Sequence, residues 1–210
     1  FRSLAANATA NGSGGPDRIV FNIAGTGTHT LSLTSALPAI TGALVLDGSA
    51  QPGYAGTPLI ELDGSGAGSS DGLVLTAGSD GSTITGLAVD RFAGIGIEVA
   101  SSGNTLRDDY LGLRPDGVTA AGNGSDGLRI DNVASNTVSH VVASGNQGAG
   151  IAVIGASATG NTIVASRVGL NAAGSAVVGN GLDGIALSAG AHHNVIGSAT
   201  GGQGNVVSGN

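Results

Sequence analysis

The chain repeats itself, and that limits its possible folds more than any other feature. Segment 160–187, GNTIVASRVGLNAAGSAVVGNGLDGIAL, aligns without a gap to segment 103–130, GNTLRDDYLGLRPDGVTAAGNGSDGLRI, 57 residues earlier. Gly, Asn and aliphatic positions coincide, whereas Arg107-Asp108-Asp109-Tyr110 becomes Val164-Ala165-Ser166-Arg167. A fixed period of this kind marks stacked units, none of which can bury its apolar face alone.

Two shorter markers define the unit. Gly followed by alternating aliphatics recurs at Gly72, Gly96, Gly127, Gly150 and Gly184, with spacings of 24, 31, 23 and 34. A small polar residue before a short apolar run recurs at Ser82, Asn104, Asn136, Asn161 and Asn194, with spacings of 22, 32, 25 and 33. Both alternate short and long in step, so the unit is a pair of coils. Period-two alternation puts Leu73, Ile97, Leu128, Ile151 and Ile185 on a core face, with Val74, Glu98, Arg129, Ala152 and Ala186 facing water. Stacked strands would pile these aliphatics into columns about 4.8 Å apart. No 3.6-residue period persists, and Gly and β-branched residues are dense, which disfavours helices.

A side-chain amide carries both donors and an acceptor, so stacked Asn residues can bond up and down a column. The spacing predicts one such ladder at Asn104, Asn136, Asn161 and Asn194. A second is predicted at Asn123, Asn146, Asn180 and Asn210, each preceded by Gly. The long coils carry an inserted loop, Arg114–Val118 and Asn171–Ser175, expected on one side of the solenoid, where binding loops belong. Residues 1–70 depart from the pattern and read as an N-terminal cap with the first coils. Within them Arg2–Ala8 is predicted as a small capping helix, and Arg18–Ile23, Thr30–Leu33 and Leu44–Asp47 as longer strands. Residues 71–210 read as coils of one continuous domain, expected to run on past Asn210.

Composition narrows the chemistry. Forty glycines in 210 residues without a collagen period suit many short strands joined by tight turns. There is no Cys, which excludes disulfides and thiolate zinc sites. A net charge of −7 with no basic cluster argues against nucleic acid. No apolar run approaches the roughly 20 residues of a membrane span. Calcium is a candidate through Asp63-Gly64-Ser65-Gly66-Ala67-Gly68, but Ala67 cannot ligate by its side chain and the turn reading is preferred. Adjacent His192 and His193 make a poor chelate.

The run DRIVFNIAG, then TLSLTSALPAI, LVLDGSAQPGY and PLIELDG, followed by Asn-Gly-Ile coils, resembles bacterial secreted repeat proteins of the pectin-lyase-like superfamily. The resemblance implies an all-β, right-handed parallel β-helix on an extracellular or cell-surface protein. It implies a stiff structural or adhesive module whose partners are other copies of itself or a glycan or protein at the cell surface. A polysaccharide lyase or hydrolase is the alternative. In that case Asp108, Asp109, His140 and Arg107 are the catalytic candidates, because Asp108 and His140 each fall four positions after a ladder Asn and would occupy neighbouring rungs. Against it, His140 is followed by Val141 where polygalacturonase-like members have Gly. On the preferred reading no residue is catalytic, and Arg107 to Tyr110 is one decorated, water-facing rung.

Overall fold

The structure is a computed structural model that describes residues 15–210. The helix expected over Arg2–Ala8 lies outside the described residues. From Asp17 onward the chain winds in coils, and every named strand pairs in parallel with its neighbours. The first coil holds β1 (Asp17–Val20) and β2 (His29–Ser32). The second holds β3 (Leu44–Asp47), β4 (Ile60–Asp63) and β5 (Leu73–Leu75), with a single 3-10 turn at Gly48–Ala50. The third holds β6 (Thr83–Thr85), β7 (Leu87–Asp90) and β8 (Ile97–Val99). The fourth holds β9 (Thr105–Arg107), β10 (Tyr110–Leu111) and β11 (Leu128–Asp131). The fifth holds β12 (Thr137–Ser139), β13 (Val142–Ala143) and β14 (Ile151–Ile154). The sixth holds β15 (Thr162–Val164), β16 (Arg167–Val168) and β17 (Ile185–Ser188). The last holds β18 (Val195–Ile196) and β19 (Val206–Val207).

These strands stack into three parallel sheets, and the fold is a parallel β-helix. Sheet A runs β1-β3-β6-β9-β12-β15-β18, sheet B runs β2-β4-β7-β10-β13-β16-β19, and sheet C runs β5-β8-β11-β14-β17. Register follows the repeat: Leu73, Ile97, Leu128, Ile151 and Ile185 pair in turn along sheet C, with Val74, Glu98, Arg129, Ala152 and Ala186 in the alternate file. Inside the helix Leu46, Ile84, Leu106, Val138 and Ile163 form one fully buried column, and Leu62, Val89, Leu111, Ala143 and Val168 another. Each Leu, Ile or Val among them contributes roughly 1.5–3 kcal/mol when taken out of water. The early strands are no longer than the later ones. β1 stops at Val20, because each side of the coil accommodates only about four residues before the chain must turn.

Sheets A and B join through a turn whose first residue lies in the left-handed region in four successive coils: Gly86 (φ 71°), Asp108 (59°), His140 (55°) and Ala165 (52°). That residue reverses the sense of the alternation, so side chains just beyond it do not follow the phase of the strand before it. Elsewhere coils approach too closely for side chains. A Cβ on Gly122 would lie 1.9 Å from the Gly145 carbonyl oxygen and one on Gly179 2.1 Å from that of Gly209, while Gly145 and Gly209 hold positive φ of 76° and 80°.

Both ladders are continuous. Asn104 donates its backbone N–H and Nδ2 to Asn136 Oδ1, each at 2.9 Å, and Asn136 does the same to Asn161 Oδ1 at 2.9 and 3.0 Å. Asn161 repeats the pair to Asn194 Oδ1. The second ladder links Asn123 to Asn146, Asn146 to Asn180, and Asn180 to Asn210 in the same way. One side chain thus satisfies a turn N–H of the coil before it and ties two coils together.

Candidate functional site

The turn column places Asp108 and His140 on neighbouring rungs, since Arg107 pairs with Ser139 across β9 and β12. They do not form a pair. Asp108 Oδ2 takes its bond from Arg107 Nη1 at 2.8 Å, and no hydrogen bond among the described residues joins it to His140. Asp109 corrects the water-facing expectation more sharply: it is fully buried, and Tyr110 is nearly so. The reset of phase at Asp108 turns Asp109 inward. Its Oδ1 accepts the Leu87 N–H at 2.9 Å, while Oδ2 is buried without a partner. Burial pushes the Asp109 carboxyl up to about 8 against the pull of the Leu87 N–H, with the charge of Asp108 adding to the rise. A neutral acid is therefore the form this position holds at pH 7.

The same column explains its role. Asp109, Val141, Ser166 and Asn205 each immediately precede the paired sheet B positions Tyr110, Val142, Arg167 and Val206. Ser166 Oγ accepts the Val141 N–H at 3.2 Å, and Asn205 Oδ1 accepts the Ser166 N–H at 3.0 Å. Asp109 does for Leu87 what Asn205 does for Ser166. It is a capping rung of a third column, which is interrupted by the apolar Val141. The two tyrosines of the chain flank this rung. Tyr110 lies beneath the first inserted loop, and the phenol of Tyr54 is pushed up to about 12 by burial, with the charges of Asp108 and Asp109 next in effect.

A different cluster, not anticipated from the sequence, lies on the outer face of sheet B. Glu61, Asp63 and Asp90 point away from the core, yet they are 2%, 6% and 0% exposed, which makes their partners decisive. Asp63 and Asp90 are opposite one another across β4 and β7. Arg91 reaches all three, through Nη2 to Asp63 Oδ2 at 2.8 Å and Glu61 Oε1 at 3.5 Å, and through Nε to Asp90 Oδ1 at 3.2 Å. The Thr30 hydroxyl donates to Glu61 Oε2. Burial pushes Asp90 up to about 7, with the neighbouring Glu61 charge adding and Arg91 opposing. For Asp63, burial is outweighed by the Ser65 N–H and hydroxyl and by Arg91, which hold its carboxyl below the usual range.

The inserted loops cover the rest of that face. Each closes as a small antiparallel hook, bridged at Leu113–Ala120 and Leu170–Val177, and the Ala172 N–H donates to the Gly117 carbonyl at 2.8 Å. Ala88, Tyr110, Leu113 and Val142 pack beneath them with Ala172 and Val178. The first loop leaves a recess of about 250 Å³ beside the acidic cluster, lined by Thr28, Thr30, Glu61, Arg114, Pro115 and Asp116. The loops do lie on one side of the solenoid, over sheet B.

No protein-family model matches this chain, and neither curated proteins nor solved structures yield a match. Among the described residues, no group of three or more His, Asp or Glu is arranged to hold a metal ion, and Asp63 of the calcium-like loop is engaged by Ser65 and Arg91. No helix among them is long and apolar enough to cross a membrane. The signal for the missed cluster was the outward Glu61 and Asp63 of IELD beside Asp90 and Arg91 of LAVDR. Seeing it required knowing that β4 and β7 pair.

Proposed function

We propose that this chain is a non-catalytic β-helix module, a stiff element for display and adhesion outside the cell or at its surface. In this reading it is akin to the bacterial secreted proteins of the pectin-lyase-like superfamily. The observation that carries the proposal is where the polar side chains of the turns go. Asn104, Asn123, Asn136, Asn146, Asn161 and Asp109 are all buried and all bonded to the adjacent coil. The polar turn residues are thus committed to holding one coil on the next, which makes a stiff solenoid suited to multipoint contact. End-to-end stacking of copies belongs to the same proposal, since the open edge of a parallel strand is a template for another.

A polysaccharide-active enzyme is the second reading, and one observation favours it: Asp90, whose carboxyl burial pushes up to about 7, lies behind Glu61, which lines a recess. Glycoside hydrolysis uses two carboxyl groups, one of them raised so that it can act as the acid. Incubating the chain with uronic-acid and neutral polysaccharides and assaying reducing ends separates the two. The expected result is no turnover. Turnover that disappears in Glu61→Gln, Asp108→Asn or His140→Ala would replace the structural reading with the enzymatic one.

A further inference from the structure

We propose that the recess between the first inserted loop and sheet B binds one unit of a neutral saccharide, through Glu61 and Arg114. The proposal rests on the adhesive reading above and names the chemistry it would recognise.

The recess is built from a buried charge rather than from surface side chains. Glu61 is 2% exposed and lines it. Its Oε2 is taken by the Thr30 hydroxyl, but its Oε1 has only long contacts, 3.5 Å to Arg91 Nη2 and 3.9 Å to Arg114 Nη1. A desolvated carboxylate oxygen short of a close donor is costly, and a hydroxyl delivered from outside would satisfy it. Behind it, Asp90 Oδ2 is buried with no partner. Arg114 has no ion pair closer than that 3.9 Å contact, so its fork of N–H groups faces the recess largely unspent. Asp116, by contrast, is used up: it accepts from Val118 N–H, Thr119 N–H and the Thr119 hydroxyl, which fixes the loop wall in place.

The charges select the ligand class. Glu61, Asp63, Asp90 and Asp116 face two guanidiniums, Arg91 and Arg114, so an anion such as a uronate meets an excess of carboxylate. A cation would compete with Arg91 and Arg114 for oxygens they already neutralise. A vicinal diol does neither: one hydroxyl donates to Glu61 Oε1 and its oxygen or its neighbour's accepts from Arg114. The Thr28 hydroxyl is a third polar contact, and the Pro115 ring is an apolar surface for a pyranose face. A volume of about 250 Å³ lies below the usual range for drug-sized ligands and suits a single sugar ring.

The test uses the 210-residue chain labelled with ¹⁵N. It is titrated separately with the methyl glycosides of glucose, galactose and mannose, and with galacturonate and spermidine. The expected result is a saturable shift of the Thr28, Thr30, Val118 and Thr119 amides with at least one neutral glycoside and with neither charged probe. Arg114→Ala, which alters a half-exposed side chain, should weaken that binding about tenfold or more, the loss of one charge-assisted hydrogen bond. The proposal is overturned if no neutral glycoside moves these amides, if a charged probe binds more tightly, or if Arg114→Ala binds as the parent does. Adherence of the same proteins to polysaccharide-coated surfaces keeps the two readings apart. Adherence that survives Arg114→Ala would leave the adhesive role standing and remove this recess from it.

Discussion

Replacing Asn146 with Ala should destabilise the β-helix by about 3–5 kcal/mol, among the larger losses for one polar residue. Asn146 is 2% exposed and sits mid-ladder. Its Oδ1 accepts from the Asn123 N–H at 3.1 Å and Nδ2 at 2.9 Å, and its Nδ2 donates to Asn180 Oδ1 at 3.1 Å and the Leu111 carbonyl at 3.0 Å. Truncation leaves a buried backbone donor, an amide donor and a carbonyl without their partners, at about 1–3 kcal/mol for a group left unsatisfied. Asn146→Asp separates acceptor from donor. It retains an oxygen for Asn123 but sets a second oxygen against Asn180 Oδ1 and the Leu111 carbonyl, so its loss at neutral pH should match or exceed that of Asn146→Ala. Denaturant unfolding measures both, and a loss under about 1 kcal/mol for Asn146→Ala would show that the ladder is ornamental.

The opposite sign is expected one column away. Asp109→Asn should stabilise the protein by roughly 2–4 kcal/mol near pH 7.5 and change it little at pH 4. The folded carboxyl is pushed up to about 8 from an ordinary 3.8, so the folded state holds a proton that the unfolded chain releases. Its contribution is full below about pH 4 and is lost as pH rises toward 8. Asp90, pushed up to about 7, acts in the same sense over a narrower window. The parent protein should therefore melt at progressively lower temperature from pH 5 to pH 8, and Asp109→Asn should flatten much of that slope. An amide at 109 keeps the acceptor that Leu87 N–H uses. By column equivalence it also gains the carbonyl of Ile84 as a partner, as Asn205 Nδ2 has Ile163 O at 2.7 Å. A variant no more stable than the parent at pH 7.5 would mean that Asp109 is ionised and satisfied where it stands.

These two positions also show how far the sequence could be read. Sheet C and the Asn ladders were legible because their markers repeat with side-chain period two, and the backbone keeps that phase throughout each strand. Sheet B was not, because Tyr110–Leu111, Val142–Ala143 and Arg167–Val168 are two residues long and show no period at all. Asp109 looked like surface decoration only while alternation was carried straight through Asp108. The left-handed residue there breaks the phase, and nothing in an isolated Asp signals it. The acidic cluster was hidden for a third reason. Glu61, Asp63 and Asp90 become neighbours through sheet B pairing and become buried through Arg91 and a loop inserted a full coil later.

Native-state hydrogen exchange tests the central claim, that turn side chains are spent on joining coil to coil. The amides of Asn104, Asn123, Asn136 and Asn146 all lie outside the strands and donate to the side-chain oxygen of the next ladder Asn. They should be protected as strongly as the strand amides of Leu106 and Val138, because both open only when coils separate. Exchange of these four amides as fast as that of Val118 and Thr119, in the exposed loop, would contradict it.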